Sequence, residues 1–390
     1  MAIRTADVII IGGGLHGCAT ALNLALRGIK AIVLEKDYPG RHASGVNAGG
    51  VRMLARHPAE LPLSLAAMEI WTKIGDLVDD DCGFSSDGQV LIAESQHEFD
   101  AMEERVRALR VQGFVHEELI GVAELRRLVP AVAQHCPGGI VSRRDGAADP
   151  FRTTQAFRRK AVELGQRVLT GIAVSGLVRR GGSWSLQTTA GTFRAPIVVN
   201  AAGAWADRIA AALGEPVPLE VAALMLMITA RMPPFVKPVV ILRGRKLSFK
   251  QLRNGTVLIG GGHAGRAFRD ENRTELDWRK LASSAHTVAE LFPVMRAASI
   301  VRAWAGIEAR TADELPVLGS SERHAGIYHQ FGFSGHGFQL APGAGALIAE
   351  LIATGRTNLP IAPFSIARFA ECGAGKGAPA EAAPRAQCAG

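Results

Sequence analysis

Short apolar runs alternate along this chain with segments whose apolar residues recur at helical spacing. Residues 7–11, DVIII, are mostly apolar and β-branched, as expected of a strand that is buried on both faces. Residues 18–28 carry apolar side chains at helical spacing and end in a glycine, which favours a helix with a glycine cap. A second apolar run, residues 31–36, follows. This order predicts a βαβ unit with parallel strands.

The same two patterns recur along the rest of the chain. They predict helices near residues 59–81, 97–113, 122–130, 153–165, 278–291 and 342–355. They predict strands near residues 88–93, 138–143, 170–180, 183–190, 192–203, 299–309 and 326–332, with several more between 221 and 262. Within that last stretch, Asn254-Gly255 marks a hairpin turn.

The order of these elements favours an α/β fold with two domains, which is also the expectation for 390 residues. A parallel, Rossmann-like domain is predicted to be discontinuous and interrupted by an antiparallel β-rich domain. We assign residues 1–81, 141–215 and 296–370 to the first domain, residues 82–140 and 216–295 to the second, and residues 371–390, rich in Ala, Gly and Pro, to a disordered tail.

Composition and charge exclude several classes of function. The net charge is +8, but the densest basic stretch, residues 143–180, has no interleaved aromatic residues, so we predict solvated surface and no nucleic-acid binding. The five cysteines form no CxxC pair and no metal-ligand spacing, which predicts no metal site and a reduced compartment.

We find no apolar run of membrane-spanning length and no room for a signal peptide before residue 7. The expectation is a cytoplasmic protein with no integral membrane segment.

A GxGxxG motif lies between the first predicted strand and helix. Gly12 permits a tight turn, Gly14 lets backbone N–H groups approach a pyrophosphate, and Gly17 allows the helix to pack closely on the strand. Glu35 ends the second strand, where a carboxylate can hold ribose hydroxyls. Such a motif can also be a structural glycine-rich turn. An acid here disfavours a 2′-phosphate, so NAD and FAD remain as ligands.

Two distant segments favour FAD over NAD. Residues 197–206 form an apolar strand that ends in small residues, as needed where a chain passes beneath an extended dinucleotide. Residues 327–345 combine a strand, a glycine-rich turn and a helix, whose N-terminus could face the electron-rich ring of a reduced flavin. An NAD-dependent dehydrogenase needs no such element.

At this point the sequence resembles the superfamily of FAD-dependent D-amino-acid oxidases, glycine oxidases and sarcosine oxidases. The resemblance extends to about residue 370 and rests on VIIIGGGLHG with Glu35, SGVNAGGVR, VVNAAGAWA, WAGIEARTADELPVLG and GFSGHGF, in that order. It implies an FAD-binding parallel domain and a substrate-binding β-rich domain. It also implies oxidation of the C–N bond of an amino acid by hydride transfer to flavin N5, followed by hydrolysis of the imine.

The resemblance further implies which residues hold FAD. They are Gly12, Gly13, Gly14, Leu15, His16, Gly17, Glu35 and Lys36 at the ADP half; Ser44, Asn47, Ala48, Gly49 and Gly50 along the pyrophosphate and flavin ring; Val174 at the adenine; Ala202 and Gly203 beneath the cofactor; and Ser334, Gly335, His336, Gly337, Phe338 and Gln339 at the pyrimidine edge of the flavin. Gly306 stands where monomeric sarcosine oxidases attach flavin through a cysteine. We therefore expect FAD to be bound non-covalently.

The substrate-binding residues depart from the family pattern. Glu308 stands where glycine-oxidase-like members place the arginine that binds the substrate carboxylate. Sarcosine-oxidase-like members use an arginine after the glycine-rich loop, matched here by Arg52, and a lysine after GHGF, replaced here by Gln339. Arg52 therefore either clamps the carboxylate through two parallel hydrogen bonds or forms an internal salt bridge. Arg302 is the second candidate for the clamp.

Glu308 and His336 each keep two alternative interpretations. Glu308 either contacts the substrate amine or forms an internal ion pair. His336 either packs between two glycines or takes part in catalysis, and Arg56 is predicted to lie on the surface. No strong general base is required if the neutral amine lends its lone pair while hydride leaves, because positioning then dominates.

The pattern within the family is most similar to opine and hydroxyproline dehydrogenases and to the β-subunits of proline dehydrogenase complexes. The predicted substrate is a D-amino or cyclic imino acid, D-hydroxyproline-like, proline-like or opine-like. Alternatives are a glycine or sarcosine oxidase, an FAD subunit active only in a multi-subunit complex, and an NAD-dependent dehydrogenase. The electron acceptor, whether oxygen, a quinone or a partner subunit, stays open.

Overall fold

Two large sheets organise the chain, and each takes its strands from separated stretches of sequence. The computed structural model describes residues 3–373. Its strands are β1 (Arg4–Thr5), β2 (Val8–Ile11), β3 (Ala31–Leu34), β4 (Gly50–Val51), β5 (Gln89–Ala93), β6 (Glu118–Gly121), β7 (Gly138–Ser142), β8 (Gly146–Ala147), β9 (Arg167–Leu169), β10 (Val174–Arg180), β11 (Ser183–Thr188), β12 (Gly191–Ala195), β13 (Ile197–Asn200), β14 (Leu219–Thr229), β15 (Val239–Leu242), β16 (Ser248–Gln251), β17 (Val257–Gly260), β18 (Ala264–Phe268), β19 (Arg273–Glu275), β20 (Ile300–Thr311), β21 (Val317–Ser320) and β22 (Ile327–Phe331). Its α-helices are α1 (Leu15–Ala25), α2 (Ala43–Val46), α3 (Leu61–Trp71), α4 (Ile74–Val78), α5 (Gln96–Val111), α6 (Val122–Leu128), α7 (Pro150–Glu163), α8 (Ala206–Ala212), α9 (Trp278–Leu291) and α10 (Gly337–Thr354).

The first large sheet is parallel except at one edge. Its six strands lie in the order β21-β22-β13-β2-β3-β9, and only β21 runs antiparallel to its neighbour. Every residue of β2 and β3 is buried, which explains why these strands are continuous apolar runs. The predicted βαβ unit is confirmed as β2, α1 and β3, and the α/β class with a Rossmann-like sheet is confirmed with it.

Helix α10 is a long, largely buried helix beside this sheet. It contacts α1 and α3, and glycines make the approach close. A Cβ on Gly345 would lie 2.7 Å from the Ala19 backbone, and one on Gly343 would lie 3.0 Å from Ala67 Cβ. Among residues 3–373, α10 is the one helix that is long and apolar enough to span a membrane, although 61% of it is buried inside the protein. This apolar run is longer than the sequence pattern predicts, and packing against α1 and α3 accounts for its apolar character.

The second large sheet has ten strands and is mostly antiparallel. Its order is β19-β18-β14-β17-β16-β15-β5-β7-β6, with β20 also paired to β14. The predicted hairpin at Asn254-Gly255 is confirmed, since β16 and β17 pair antiparallel around it and Gly255 has a φ of +87°. The long β14–β20 pair runs from Leu219 opposite Thr311 to Thr229 opposite Ile300.

The two sheets can be compared with the predicted domain boundaries. All six strands of the parallel sheet fall in the ranges predicted for the FAD-binding domain. The ten-stranded sheet takes β20 from the range 296–370 and β7 from the boundary near residue 140. The domain division itself stays a prediction. Of the predicted tail, residues 374–390 lie outside the described residues, and residues 371–373 end a 3-10 segment, Ile366–Gly373.

Two small sheets complete the fold. β1, β12, β11 and β10 form one of them. The predicted strand near 192–203 divides at Pro196 into β12 and β13, which belong to different sheets; proline has no N–H to donate to a ladder. The other small sheet pairs β4 with β8, which brings the end of the glycine-rich loop beside residues 145–147.

Candidate functional site

A cavity of about 500 Å³ lies between the two large sheets, and we call it the central cavity. Its floor is at the carboxyl ends of the parallel strands, where Ile11 ends β2, Leu34 ends β3 and Phe331 ends β22. Its other wall comes from β14, β16 and β20 of the ten-stranded sheet. The carboxyl edge of a parallel sheet is the usual ligand site in α/β proteins.

The N-terminus of α1 opens into one end of the central cavity. Gly12 has a φ of +107°, and a Cβ there would lie 2.3 Å from Ala201 O, so this turn requires glycine. A Cβ on Gly17 would lie 2.0 Å from Gly12 O. Gly14, the N-cap of α1, supplies no side-chain cap, while Ser44 Oγ accepts the hydrogen bond of Leu15 N–H at 2.9 Å. The first turn of α1 can thus offer backbone N–H groups to an anion.

Glu35 and Lys36 lie beside this helix end. The Glu35 carboxylate accepts hydrogen bonds from Gly13 N–H at 2.7 Å and Asp37 N–H at 2.8 Å. Burial raises the pKa of Glu35, and these two hydrogen bonds partly oppose that rise. Lys36 Nζ donates to Asn272 Oδ1 at 2.6 Å. Both side chains line the central cavity, at the position where the ribose of a dinucleotide is expected.

The glycine-rich loop forms the middle of the central cavity. Gly49 has a φ of +68°, and a Cβ there would lie 2.2 Å from Ala148 O. Asn47 Oδ1 accepts the hydrogen bond of Gly49 N–H at 2.7 Å and fixes the turn. On the opposite wall, a Cβ on Gly306 would lie 2.2 Å from Val46 Cγ2. The loop and β20 therefore approach each other with no room for a side chain at residue 306.

The N-terminus of α10 also opens into the central cavity, close to His16 of α1. Its N-cap, His336, supplies no side-chain cap to the helix; its Nδ1 lies 2.9 Å from Glu60 Oε2 instead. Burial is the main reason why the pKa of His336 falls to about 4. Ser334 holds a φ of +52°, uncommon for a residue with a side chain, and its Oγ accepts a hydrogen bond from Thr311 N–H at 3.2 Å.

These features fit FAD. Two helix N-termini whose own N-cap residues supply no side-chain cap open into one cavity, and glycines of the loop and the Glu35 carboxylate line the same cavity. His16 lines the same cavity and stacks on Phe333 with ring centroids 3.8 Å apart. Neither nitrogen of its ring makes a hydrogen bond of good geometry within residues 3–373. Burial lowers the pKa of His16 to about 3, and the nearby Gly337 backbone only partly opposes this decrease. A neutral, unpartnered imidazole is suited to hydrogen-bond a polar ligand group.

Arg52 and Glu308 both line the central cavity. Arg52 is 7% exposed, and its Nη1 donates to Leu54 O at 2.9 Å. Glu308 Oε1 is buried and has no hydrogen-bond partner among the described residues. Burial raises the pKa of Glu308, and the Arg310 guanidinium and the Gly335 N–H partly oppose this rise. A cation and an unsatisfied carboxyl group therefore face one cavity.

Arg56 lies in the interior, so its prediction as a surface residue was wrong. Its side chain is 1% exposed, and its Nη2 lies 3.5 Å from His336 O. Burial is the main cause that lowers the pKa of Arg56 to about 9. The segment after β4 passes beneath the start of α10. The Glu60 carboxylate in this segment supplies a negative charge near the Arg56 guanidinium. Local sequence gave no sign of this contact between distant segments.

The structure brings most of the predicted site residues to the central cavity. Its lining includes Gly12, Gly14, Leu15, His16, Glu35, Lys36, Ser44, Asn47, Ala48, Gly49, Gly50, Arg52, Val174, Ala202, Gly203, Gly306, Glu308, Gly335, Gly337 and Phe338. The predicted residues outside the lining are Gly13, Gly17, Arg302, Ser334, His336 and Gln339.

Gln339 and Arg302 point elsewhere. The Gln339 amide is fully buried against α3, where its Oε1 accepts from Ser64 Oγ at 3.0 Å and its Nε2 donates to Ser64 O at 2.8 Å. Arg302 is exposed and lines a neighbouring cavity together with Lys237, Lys250 and Trp304. We call this neighbour the side cavity. The geometry therefore favours Arg52 over Arg302 as a group that can reach a ligand in the central cavity.

Several lining residues were missed by sequence reasoning. His42, Trp205 and Arg310 lie within or beside the quoted motifs, so their position in those motifs was an available signal. Met225 and Ser248 come from β14 and β16. Nothing in their local sequence distinguishes them, because only the pairing of distant strands places them at the cavity.

Comparison with known proteins shows the family of this chain. The model of the family described as FAD dependent oxidoreductase, DAO, matches residues 7–351. The β-subunit of sarcosine oxidase from Rhodobacter capsulatus is 27% identical, over 94% of this chain and 89% of that subunit. Glycine oxidase from Geobacillus kaustophilus is 27% identical, over 93% of this chain and 97% of its own length. The crystal structure of L-proline dehydrogenase from P. horikoshii superimposes with a TM-score of 0.87 and 28% identity, covering 95% of this chain and 99% of that one.

Proposed function

The chain belongs to the DAO family of FAD-dependent oxidoreductases, and on that premise we propose that it oxidises the C–N bond of a D-amino acid or a cyclic imino acid. Proline-like, hydroxyproline-like and opine-like compounds are the proposed substrates. The observation that carries the proposal is that Arg52 and Glu308 both line the central cavity. A cation and a carboxyl group in one cavity match the carboxylate and the amine of a zwitterion.

Arg52 is proposed to hold the substrate carboxylate. A guanidinium can donate two parallel hydrogen bonds to a carboxylate, which fixes both its position and its orientation. Arg52 follows the glycine-rich loop directly, so a carboxylate bound there lies next to the loop that we propose against the flavin. Since Arg52 is 7% exposed, water competes weakly for its N–H groups.

Glu308 is proposed to bind the substrate amine. Its unpartnered Oε1 can accept an N–H hydrogen bond. A carboxylate whose pKa is raised by burial is also a better proton acceptor at that atom, so it can take the proton of an ammonium group and leave the amine neutral. This proposal selects the amine-contact alternative, because no ion pair of Glu308 is found within residues 3–373.

The remaining walls supply a dry environment. Leu224, Leu226 and Ile241 from the ten-stranded sheet line the central cavity opposite the cofactor residues. Excluding water strengthens the hydrogen bonds to the carboxylate and amine and holds the α-hydrogen in one position. FAD, when bound, supplies the hydride acceptor.

FAD is proposed to bind without a covalent bond. Gly306 offers no nucleophile, and none of Cys18, Cys82 and Cys136 is among the cavity-lining residues. Denaturation of the purified protein should therefore release all its flavin into the protein-free supernatant. Flavin retained on the precipitated chain contradicts non-covalent binding.

Anaerobic reduction of the bound flavin tests the proposed substrate class. We expect the purified holoprotein to be yellow and to bleach with one or more members of a panel of D- and L-amino acids, prolines, hydroxyprolines, opines and N-methylated glycines. The 28% identity to an L-proline dehydrogenase over 95% of the chain supports a cyclic imino acid. Bleaching by glycine or sarcosine alone favours the alternative of a glycine or sarcosine oxidase.

A second candidate function is an FAD subunit that works only within a larger complex. It is favoured by the relative from R. capsulatus, which is a subunit and is matched over 89% of its length. In this case a partner subunit or a quinone takes the electrons. Yellow protein that is bleached by dithionite, but by no amino or imino acid in the panel, favours this candidate.

A further inference from the structure

Lys250 is a buried cation that the proposed mechanism does not use. It lies on β16 and is 7% exposed. Within residues 3–373, Lys250 Nζ has neither a hydrogen bond nor an ion pair. Among the described residues, the Asp149 carboxylate is the one that acts on it, through space. An unpaired ammonium in the interior is unfavourable unless a ligand compensates it.

The position of Lys250 points to the flavin. Its Nζ lies 3.1 Å from the point that a Cβ on Gly49 would occupy, so it packs on the backbone of the glycine-rich loop. Ser248, two residues earlier on the same strand, lines the central cavity, and side chains two residues apart share one face of a strand. Lys250 itself lines the side cavity, which also contacts Asn47 and Ala48. It therefore lies where the two cavities meet at the loop.

We propose that Lys250 faces the flavin ring of bound FAD and stabilises its reduced, negatively charged form over its oxidised form. The proposal rests on the proposed function for the placement of FAD and for hydride transfer. In that transfer the substrate C–H bond breaks, both electrons and the hydrogen go to FAD, and the substrate becomes an iminium cation. The flavin gains one negative charge. A buried ammonium nearby attracts that charge strongly, because it has no counter-ion and little water screens it.

The charge state of Lys250 is consistent with this role. Burial lowers the pKa of Lys250 to about 8, with the Asp149 carboxylate opposing the decrease. Most Lys250 side chains therefore carry a proton at pH 7, and they carry it in a place where water stabilises the charge poorly.

The reduction potential of bound FAD tests the proposal without any substrate. Lys250→Met should lower the potential by about 30 mV or more, which for a two-electron couple is a tenfold loss in the preference for reduced FAD. Lys250→Arg keeps the charge and should stay near the wild-type potential. Lys237→Met is the matched control, because Lys237 lines the same side cavity but is exposed; it should leave the potential unchanged.

Two results overturn the proposal: a wild-type potential in Lys250→Met, or an equal decrease in Lys237→Met. If Lys250→Met binds FAD too weakly for titration, the Kd values of oxidised FAD and of dithionite-reduced FAD give the same information. We then expect a tenfold or greater loss that is selective for the reduced form, and an equal loss for both forms overturns the proposal. Failure of the proposed function is a separate result, because it appears as bound flavin that no amino or imino acid reduces.

Discussion

The charged side chains around the central cavity differ in how far water reaches them. Arg52 is 7% exposed and Glu308 Oε1 is buried without a partner, whereas Arg302 is exposed and lies over the ring of Trp304. A charge in the interior exerts a stronger field on a ligand than an exposed charge, because solvent and salt screen it less. At the residue scale, burial therefore favours Arg52 over Arg302 as the group that binds the substrate carboxylate.

Arg52→Ala should weaken substrate binding and leave FAD bound. Loss of charge-assisted hydrogen bonds at a buried site removes about 1.5–3 kcal/mol, so KM should rise by about 10- to 100-fold. The measurement is steady-state kinetics, together with the ratio of flavin to protein absorbance. Arg302→Ala is the control and should change KM by less than about twofold, as expected for an exposed group. The assignment fails if Arg302→Ala has the larger effect or if Arg52→Ala behaves like the wild type.

Glu308→Gln should alter the pH dependence of the reaction. If the Glu308 carboxylate takes the amine proton, kcat/KM falls towards acid pH as this carboxyl group becomes protonated, at a pH above the usual Glu range because burial raises its pKa. Glutamine cannot take the proton, so the variant should be slower and lack this acid limb. Glu220→Gln, at an exposed position near the start of β14, should keep the wild-type profile. An unchanged acid limb in Glu308→Gln excludes this role.

Among the elements, the β4–β8 pair positions the segment that carries Arg52. Asp145 is fully buried beside β8 and accepts hydrogen bonds from Met53 N–H and Leu54 N–H, each at 2.9 Å. Leu54 O in turn accepts from Arg52. A single carboxylate thus fixes the backbone that presents the arginine. Burial raises the pKa of Asp145 to about 6, although these hydrogen bonds oppose the rise.

This raised pKa predicts a pH-dependent contribution to stability. The ordinary pKa of the Asp145 carboxyl group is 3.8 and its value in the folded protein is about 6, so the folded state binds the proton more tightly. The contribution is complete below pH 3.8 and is lost as pH rises through about 6. When the pH is lowered from 7 to 5, the unfolding free energy of the wild type should therefore rise by about 1 kcal/mol relative to that of Asp145→Asn.

Urea denaturation at both pH values measures this difference. Asp100→Asn, on the exposed face of α5, is the control and should follow the wild type at both pH values. A difference between the wild type and Asp145→Asn that is the same at pH 5 and pH 7 contradicts the raised pKa.

Two helical glycines should respond oppositely to the same substitution. Gly17→Ala places a Cβ 2.0 Å from Gly12 O, so α1 must shift from the turn; we expect a loss of about 1–3 kcal/mol of unfolding free energy and weaker FAD binding. Gly75→Ala, in the exposed part of α4, meets no atom within 4 Å and should stabilise by about 0.5–1 kcal/mol. Denaturant titration and FAD affinity measure both variants. Equal effects of the two substitutions contradict the close packing at Gly17.

At the scale of the whole molecule, the central cavity separates the two large sheets. Residues from the parallel sheet, the glycine-rich loop, α10 and the ten-stranded sheet all line it. A ligand that fills this cavity contacts both sheets at once. Binding of FAD should therefore stabilise the entire fold.

The melting temperature should rise with FAD concentration. At 100 times its Kd, FAD should add about 2.7 kcal/mol to the unfolding free energy, provided that it binds only the folded chain. FMN lacks the ADP half, which we place at α1 and Glu35, so it should give a smaller increase at the same concentration. Thermal unfolding of FAD-free protein with either flavin makes the comparison, and an equal response to FMN contradicts the proposed ADP site.

The amino-acid sequence by itself determined the β2–α1–β3 unit and the hairpin at Asn254-Gly255. The apolar runs, their spacing and the turn residues are local, and local patterns report which face of an element is buried. The motifs also indicated the family, and with it FAD, because their order along the chain is a property of sequence alone.

Only the tertiary structure decided the surroundings of the distant side chains. It buried Arg56 beneath α10, turned the Gln339 amide towards Ser64, and packed Lys250 on the glycine-rich loop. These contacts join segments that are far apart in the chain. Burial, charge pairing and pKa at such positions depend on which surfaces meet when the two sheets close around the cavity, and no local pattern of residues contains that information.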